Sequence, residues 1–126
     1  MPGISPTLGI PFTVSQGGAN TAAVSNTLHS TLDPGHTSYL DVGNTAADIA
    51  VLVTYCATRG ITYQMGSIFI LNDGVPDYSW DYFGDDIGMT LSASVDAADI
   101  FLDVTVDNSS ADDVEFDYIT ERITLT

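Results

Sequence analysis

The sequence predicts an all-β protein, an antiparallel β-sandwich of jelly-roll type formed as a single domain over residues 1–126. Three observations predict it. Apolar residues alternate with period two after residue 48, β-branched and aromatic residues are abundant, and short apolar runs are separated by Gly, Pro, Asn and Asp turns. At 126 residues the chain can bury one core but is too short for two domains of ordinary size.

Taken in order, residues 1–7 read as an extended N-terminal arm, and 8–14 and 21–28 as strands around Gly17-Gly18. Asp33-Pro34-Gly35 is a turn, followed by a short strand over 39–42. Residues 49–58 and 61–71 are apolar on both faces and joined at Arg59-Gly60. They predict a central hairpin buried on two sides, or on one side and in a subunit contact.

Residues 72–86 read as a loop rich in acids and aromatics. In the next strand Met89, Leu91, Ala93 and Val95 share one face, with Thr90, Ser92 and Ser94 on the other. Asp96-Ala97-Ala98-Asp99 connects it to a strand with Ile100, Leu102, Val104 and Val106 inward. After the turn cluster at 107–113, Val114, Phe116 and Tyr118 alternate with Glu115 and Asp117. The apolar set then changes parity to Ile119, Ile123 and Leu125, which predicts a bulge or bend near Tyr118.

The charge balance is extreme: 15 Asp and two Glu stand against Arg59, Arg122 and no Lys, a formal net charge of −15. An ordinary chain of this length carries about 15 basic residues. A one-signed surface repels itself, and molar salt relieves that repulsion by cutting the screening length to about 3 Å. The composition therefore predicts a protein adapted to high salt, with calcium loading or a strongly basic partner as the alternative ways of screening the charge. It also argues against nucleic-acid partners, which require clustered Lys and Arg.

No apolar stretch reaches membrane-spanning length and the N-terminal residues lack a signal-peptide pattern, so neither membrane insertion nor a leader is expected. Cys56, the only cysteine, lies in an apolar run and is expected to be a buried thiol.

Within 72–86, Asp73, Asp77, Asp81 and Asp85 recur every four residues, interleaved with Tyr78, Trp80, Tyr82 and Phe83. The four carboxylates form a candidate Ca²⁺ site because hard cations take six to eight oxygens, although the spacing is not that of an EF-hand. Tyr78, Trp80 and Tyr82 form a candidate binding surface, with flat rings for stacking beside acids for hydroxyl groups. The competing reading of each is plain: solvated surface acids, and aromatics that cap the sandwich.

His29 and His36 have no third ligand nearby and read as loop residues rather than a zinc site. Asn108-Ser109-Ser110 fits a glycosylation sequon but reads first as a tight turn. Paired carboxylates of glycosidase type have no acid in a clearly apolar setting, and no nucleophile elbow, phosphate loop or dinucleotide fingerprint is present. The chain reads as non-catalytic.

Between Arg59 and Ile123 stand Arg59, Gly60, Tyr63, Gly66, Ile68 and Ile70, then Asp-Ile-Gly-Met-Thr-Leu-Ser-Ala at 86–93, Asp-Ile-Phe-Leu at 99–102, and Phe116, Tyr118, Arg122 and Ile123. In these motifs the chain resembles the C-terminal region of small virion structural proteins of tailed phages. The resemblance implies a multimeric head- or tail-associated β-sandwich without a catalytic site. The acidity points to a virus of haloarchaea or other halophiles. The expected role is a capsid decoration or turret subunit, with a tail or fibre component as the nearest variant and a carbohydrate-binding module as the rival class. Expected partners are further copies of the chain as a trimer or pentamer, other virion proteins, and, as a further candidate, a host-surface glycan.

Overall fold

The computed structural model describes residues 13–15, 20–24 and 26–125; the arm expected over 1–7 and most of the strand expected over 8–14 lie outside them. Two antiparallel sheets pack face to face, and no helix occurs among the described residues. The strands are β1 (Thr13–Ser15), β2 (Asn20–Val24), β3 (Leu28–Leu32), β4 (Thr37–Asn44), β5 (Asp48–Arg59), β6 (Thr62–Asn72), β7 (Pro76–Gly84), β8 (Met89–Asp96), β9 (Asp99–Val106) and β10 (Val114–Leu125).

The large sheet runs β1-β2-β10-β5-β6-β7, and β3 shares the same edge of β10 as β2, pairing with its first half while β2 pairs with its second. The small sheet is β4-β9-β8. The expected sandwich is thus present.

Period-two alternation decides which residues meet. Along β5, Val51, Val53, Tyr55 and Ala57 are buried, while Leu52, Thr54 and Cys56 lie on the opposite face. They meet Ile68 and Ile70 of β6, Val114 and Phe116 of β10, and Leu91, Leu102 and Val104 of the small sheet. Each such side chain contributes about 1.5–3 kcal/mol when fully buried. Tyr55 stacks on Phe116 with ring centroids 5.0 Å apart, and Phe116 meets Tyr118 at 5.4 Å.

Asp48 is the buried acid among the described residues, and its carboxylate is fully engaged. Oδ2 accepts the Asn44 backbone N–H and Oδ1 the Thr124 hydroxyl, both at 2.8 Å, while Arg122 Nη1 approaches Oδ2 to 3.7 Å. The carboxylate ties the β4–β5 connection to the end of β10.

Several expectations are corrected. Residues 72–86 are not a loop: their middle is β7, the edge strand of the large sheet. No bulge occurs near Tyr118, because β10 pairs with β5 in unbroken register from Glu115 to Ile123 and shifts only between Ile123 and Thr124. The parity change marks a switch from an apolar inner face to an apolar outer one. Cys56 is exposed, since β5 is apolar on both sides and its even-numbered residues point away from the core. His29 lies in β3 rather than in a loop. The strand expected at 39–42 extends over all of β4.

Candidate functional site

Three features bear on function: the aromatic row of β7, the clamp around Arg59, and the outer face of the large sheet. The alternation of β7 separates its two residue types. Tyr78, Trp80 and Tyr82 pair with Ile70, Ile68 and Gly66 and share the core-facing side, whereas Asp77 and Asp81 pair with Leu71 and Ser67 on the outer side.

Trp80 is half-buried against the core, and its indole N–H donates to Tyr55 Oη at 3.0 Å. Tyr55 in turn donates to Gln64 Oε1 at 2.6 Å, and Gln64 Nε2 donates to the Asp85 carbonyl at 2.9 Å. Burial pushes the Tyr55 phenol up to about 12, so it stays protonated as the donor in this chain. Tyr82, 38% exposed, stacks on Trp80 with centroids 5.2 Å apart and planes 28° from parallel. A groove of about 330 Å³ runs beside these two rings between β7 and β8, bordered by Asp86, Thr90, Thr105 and Asp107.

The four acids of the candidate Ca²⁺ site do not converge. Asp73 sits in the β6–β7 turn, Asp77 and Asp81 lie four residues apart on a strand, roughly 13 Å of rise, and Asp85 follows the strand. Asp85 Oδ2 accepts the Tyr63 backbone N–H at 2.9 Å. Among the described residues no three His, Cys, Asp or Glu side chains come together to hold a metal ion. A second role for Asp77 and Asp81 is local: charge on an exposed edge strand discourages another chain from pairing there.

Sequence reasoning missed the most heavily bonded side chain, Arg59. It continues the inward parity of Val51, Val53, Tyr55 and Ala57, and its guanidinium is buried at the end of the sandwich. It donates to the carbonyl oxygens of Ile87, Asp107, Ser110 and Asp112, each at 2.9 Å, and to Asp107 Oδ1 at 2.9 Å. Asp107 also accepts the Ser109 hydroxyl at 2.6 Å; that bond first and Arg59 second hold its carboxyl down to about 2. The Asn108-Ser109-Ser110 turn is therefore part of a clamp that closes two loops over one cation. The available signal was an inward-facing Arg in a chain with only two.

The outer face of the large sheet is apolar at its centre. The paired registers give four rows across β10, β5, β6 and β7: Asp117-Cys56-Met65-Phe83, Ile119-Thr54-Ser67-Asp81, Glu121-Leu52-Phe69-Ser79 and Ile123-Ala50-Leu71-Asp77. Phe69 is 59% and Phe83 68% exposed, and Met65, Leu71 and Ile123 are exposed as well. A shallow concavity of about 400 Å³ lies between Leu52, Met65, Phe69 and Phe83. One carboxylate stands at an end of every row, on the β10 side in two and the β7 side in two. Only one of the two faces foreseen for the β5–β6 hairpin lies in the core; the other leaves Cys56, Met65, Phe69 and Leu71 exposed in the single chain.

Comparison of the chain with protein-family models, with curated proteins and with solved structures gives no match in any of the three.

Proposed function

We propose that the chain is a non-catalytic structural subunit that assembles through the outer face of its large sheet. A virus-particle coat is the setting that the sequence pattern of residues 59–123 favours. The observation that carries the reading is the apolar centre formed by Leu52, Met65, Phe69, Leu71 and Phe83 on a chain of net charge −15. Soluble monomers rarely leave large contiguous apolar patches open, and a patch rimmed by polar groups marks an interaction surface.

The acids serve the exterior of such an assembly. Among the described residues Asp48 alone of the 17 acids is buried, so the remainder coat the particle and stay hydrated in brine. A symmetric trimer or pentamer acting as a decoration or turret subunit fits this design, with a tail component as the variant.

Cys56 supplies a direct test, because it is exposed and lies in the first row beside Met65. In about 2–3 M salt, where screening is complete within a few ångströms, its modification by a thiol reagent should slow as protein concentration rises. A labelling rate independent of concentration would count against assembly through this face.

A further inference from the structure

We infer that the margin between β7 and β8 binds a neutral hexopyranose oligosaccharide, with Tyr82, backed by Trp80, as its stacking ring. This site lies on the opposite side of the large sheet from the assembly face and does not depend on it.

Trp80 and Tyr82 occupy alternate residues of β7 on one side, with ring centroids 5.2 Å apart, and border the same groove. Tyr82 presents its ring already fixed, stacked on a Trp80 that is itself anchored by the core and by its bond to Tyr55. A rigid ring loses little conformational freedom on binding, which is why Tyr and Trp dominate such surfaces.

The adjoining groove supplies the polar half of the recognition. Asp86 and Asp107 border it with carboxylates that already hold Gly88 and Arg59 through Oδ1, and Thr90 and Thr105 border it with hydroxyls, within a volume of about 330 Å³. That lies at the lower end of the roughly 300–1,000 Å³ typical of small-ligand pockets. The groove is lined by no Arg or Lys, and the chain carries −15 overall, so the ligand is uncharged rather than sialylated, sulfated or phosphorylated. Stacking on apolar sugar faces, unlike ion pairing, survives molar salt.

Trp80 is the only tryptophan, so intrinsic fluorescence reads the site directly. The probes are maltohexaose, cellohexaose and mannohexaose, with sialyllactose as the charged control, titrated into the full chain in molar salt. At least one neutral hexasaccharide should change Trp80 fluorescence saturably, and sialyllactose should not. Tyr82→Ala should weaken that binding at least about tenfold, whereas Tyr82→Phe, which keeps the ring, and Tyr39→Ala, an exposed ring on β4, should stay within about twofold. The inference is overturned if no neutral probe perturbs Trp80, if Tyr82→Ala binds as tightly as the parent, or if the charged sugar binds best.

Discussion

Arg59 grips Asp107 twice: Nη1 lies 2.9 Å from its carboxylate Oδ1, and Nη2 donates to its backbone carbonyl at the same distance. The side chain of Arg59 is 3% exposed while that of Asp107 is 53% exposed, so the cation is desolvated and the anion is not. Three further backbone carbonyls, of Ile87, Ser110 and Asp112, complete the shell, which makes Arg59 an organiser of loops rather than a surface ion-pair partner.

Replacing Arg59 with Met should therefore destabilise the fold by roughly 3–5 kcal/mol, since several carbonyls lose a donor at about 1–3 kcal/mol for each one left buried and unpaired. Lys, with one compact ammonium, should recover only part of this. Denaturant unfolding of both variants measures it, and a loss under 1 kcal/mol for Arg59→Met would contradict the clamp.

His29 gives a pH signature. Its Nδ1 lies 2.6 Å from Asp117 Oδ1 and its Nε2 3.1 Å from Glu115 Oε1; the bond to Asp117 is the largest cause of a raised pKa, opposed by desolvation. A raised histidine pKa stabilises the fold fully below the unfolded value of about 6.5 and ceases to do so as pH climbs through the folded value. NMR titration should place the His29 midpoint above 6.5, and His29→Ala should flatten the stability profile across that window. The site is exposed, so molar salt should shrink the effect.

Asp99 tests like-charge repulsion. Asp41 raises its pKa, chiefly through charge, with smaller contributions from burial, a shared hydrogen bond and Asp96. Because the folded state disfavours this carboxylate, Asp99→Asn should raise the melting temperature at neutral pH, and the gain should be larger in dilute buffer than in molar salt. Equal gains in both solvents would argue against an electrostatic origin.

Gly66 tests the seating of the aromatic row. A Cβ at this position would run into the Asp81 carbonyl and come within 2.8 Å of Tyr82 Cβ, both on the paired strand. Gly66→Ala should force β6 and β7 apart, red-shift Trp80 emission and cost roughly 1–3 kcal/mol, as overpacking does elsewhere. Unchanged emission would show that β7 yields without moving Trp80.

The core strands were legible because alternation carries their information. Met89, Leu91, Ile100, Leu102, Val104 and Val106 are buried as their parity requires, and the Ala97-Ala98 hairpin falls where the acids bracket it. Strand β7 was not legible, because Asp every four residues resembles a solvated loop. Period four is also even, however, and leaves the acids on one face of a strand and the aromatics on the other. Cys56 and the parity change after Tyr118 misled for one shared reason: an apolar residue in a strand marks a face, not which face is core. The Arg59 clamp depends on loops brought together from residues 87 and 107–112, which local pattern does not encode.

The central claim is assembly through the outer face, and the mass of the protein in solution by light scattering tests it most directly. The parent chain at about 2–3 M salt, with the row-end carboxylates screened, should be a closed oligomer that dissociates as salt is removed. Phe69→Asp, at the centre of the apolar rows and 59% exposed in the single chain, should be monomeric at every salt concentration while keeping its strand signature. A parent that remains monomeric in high salt, or an oligomer indifferent to Phe69→Asp, would contradict it.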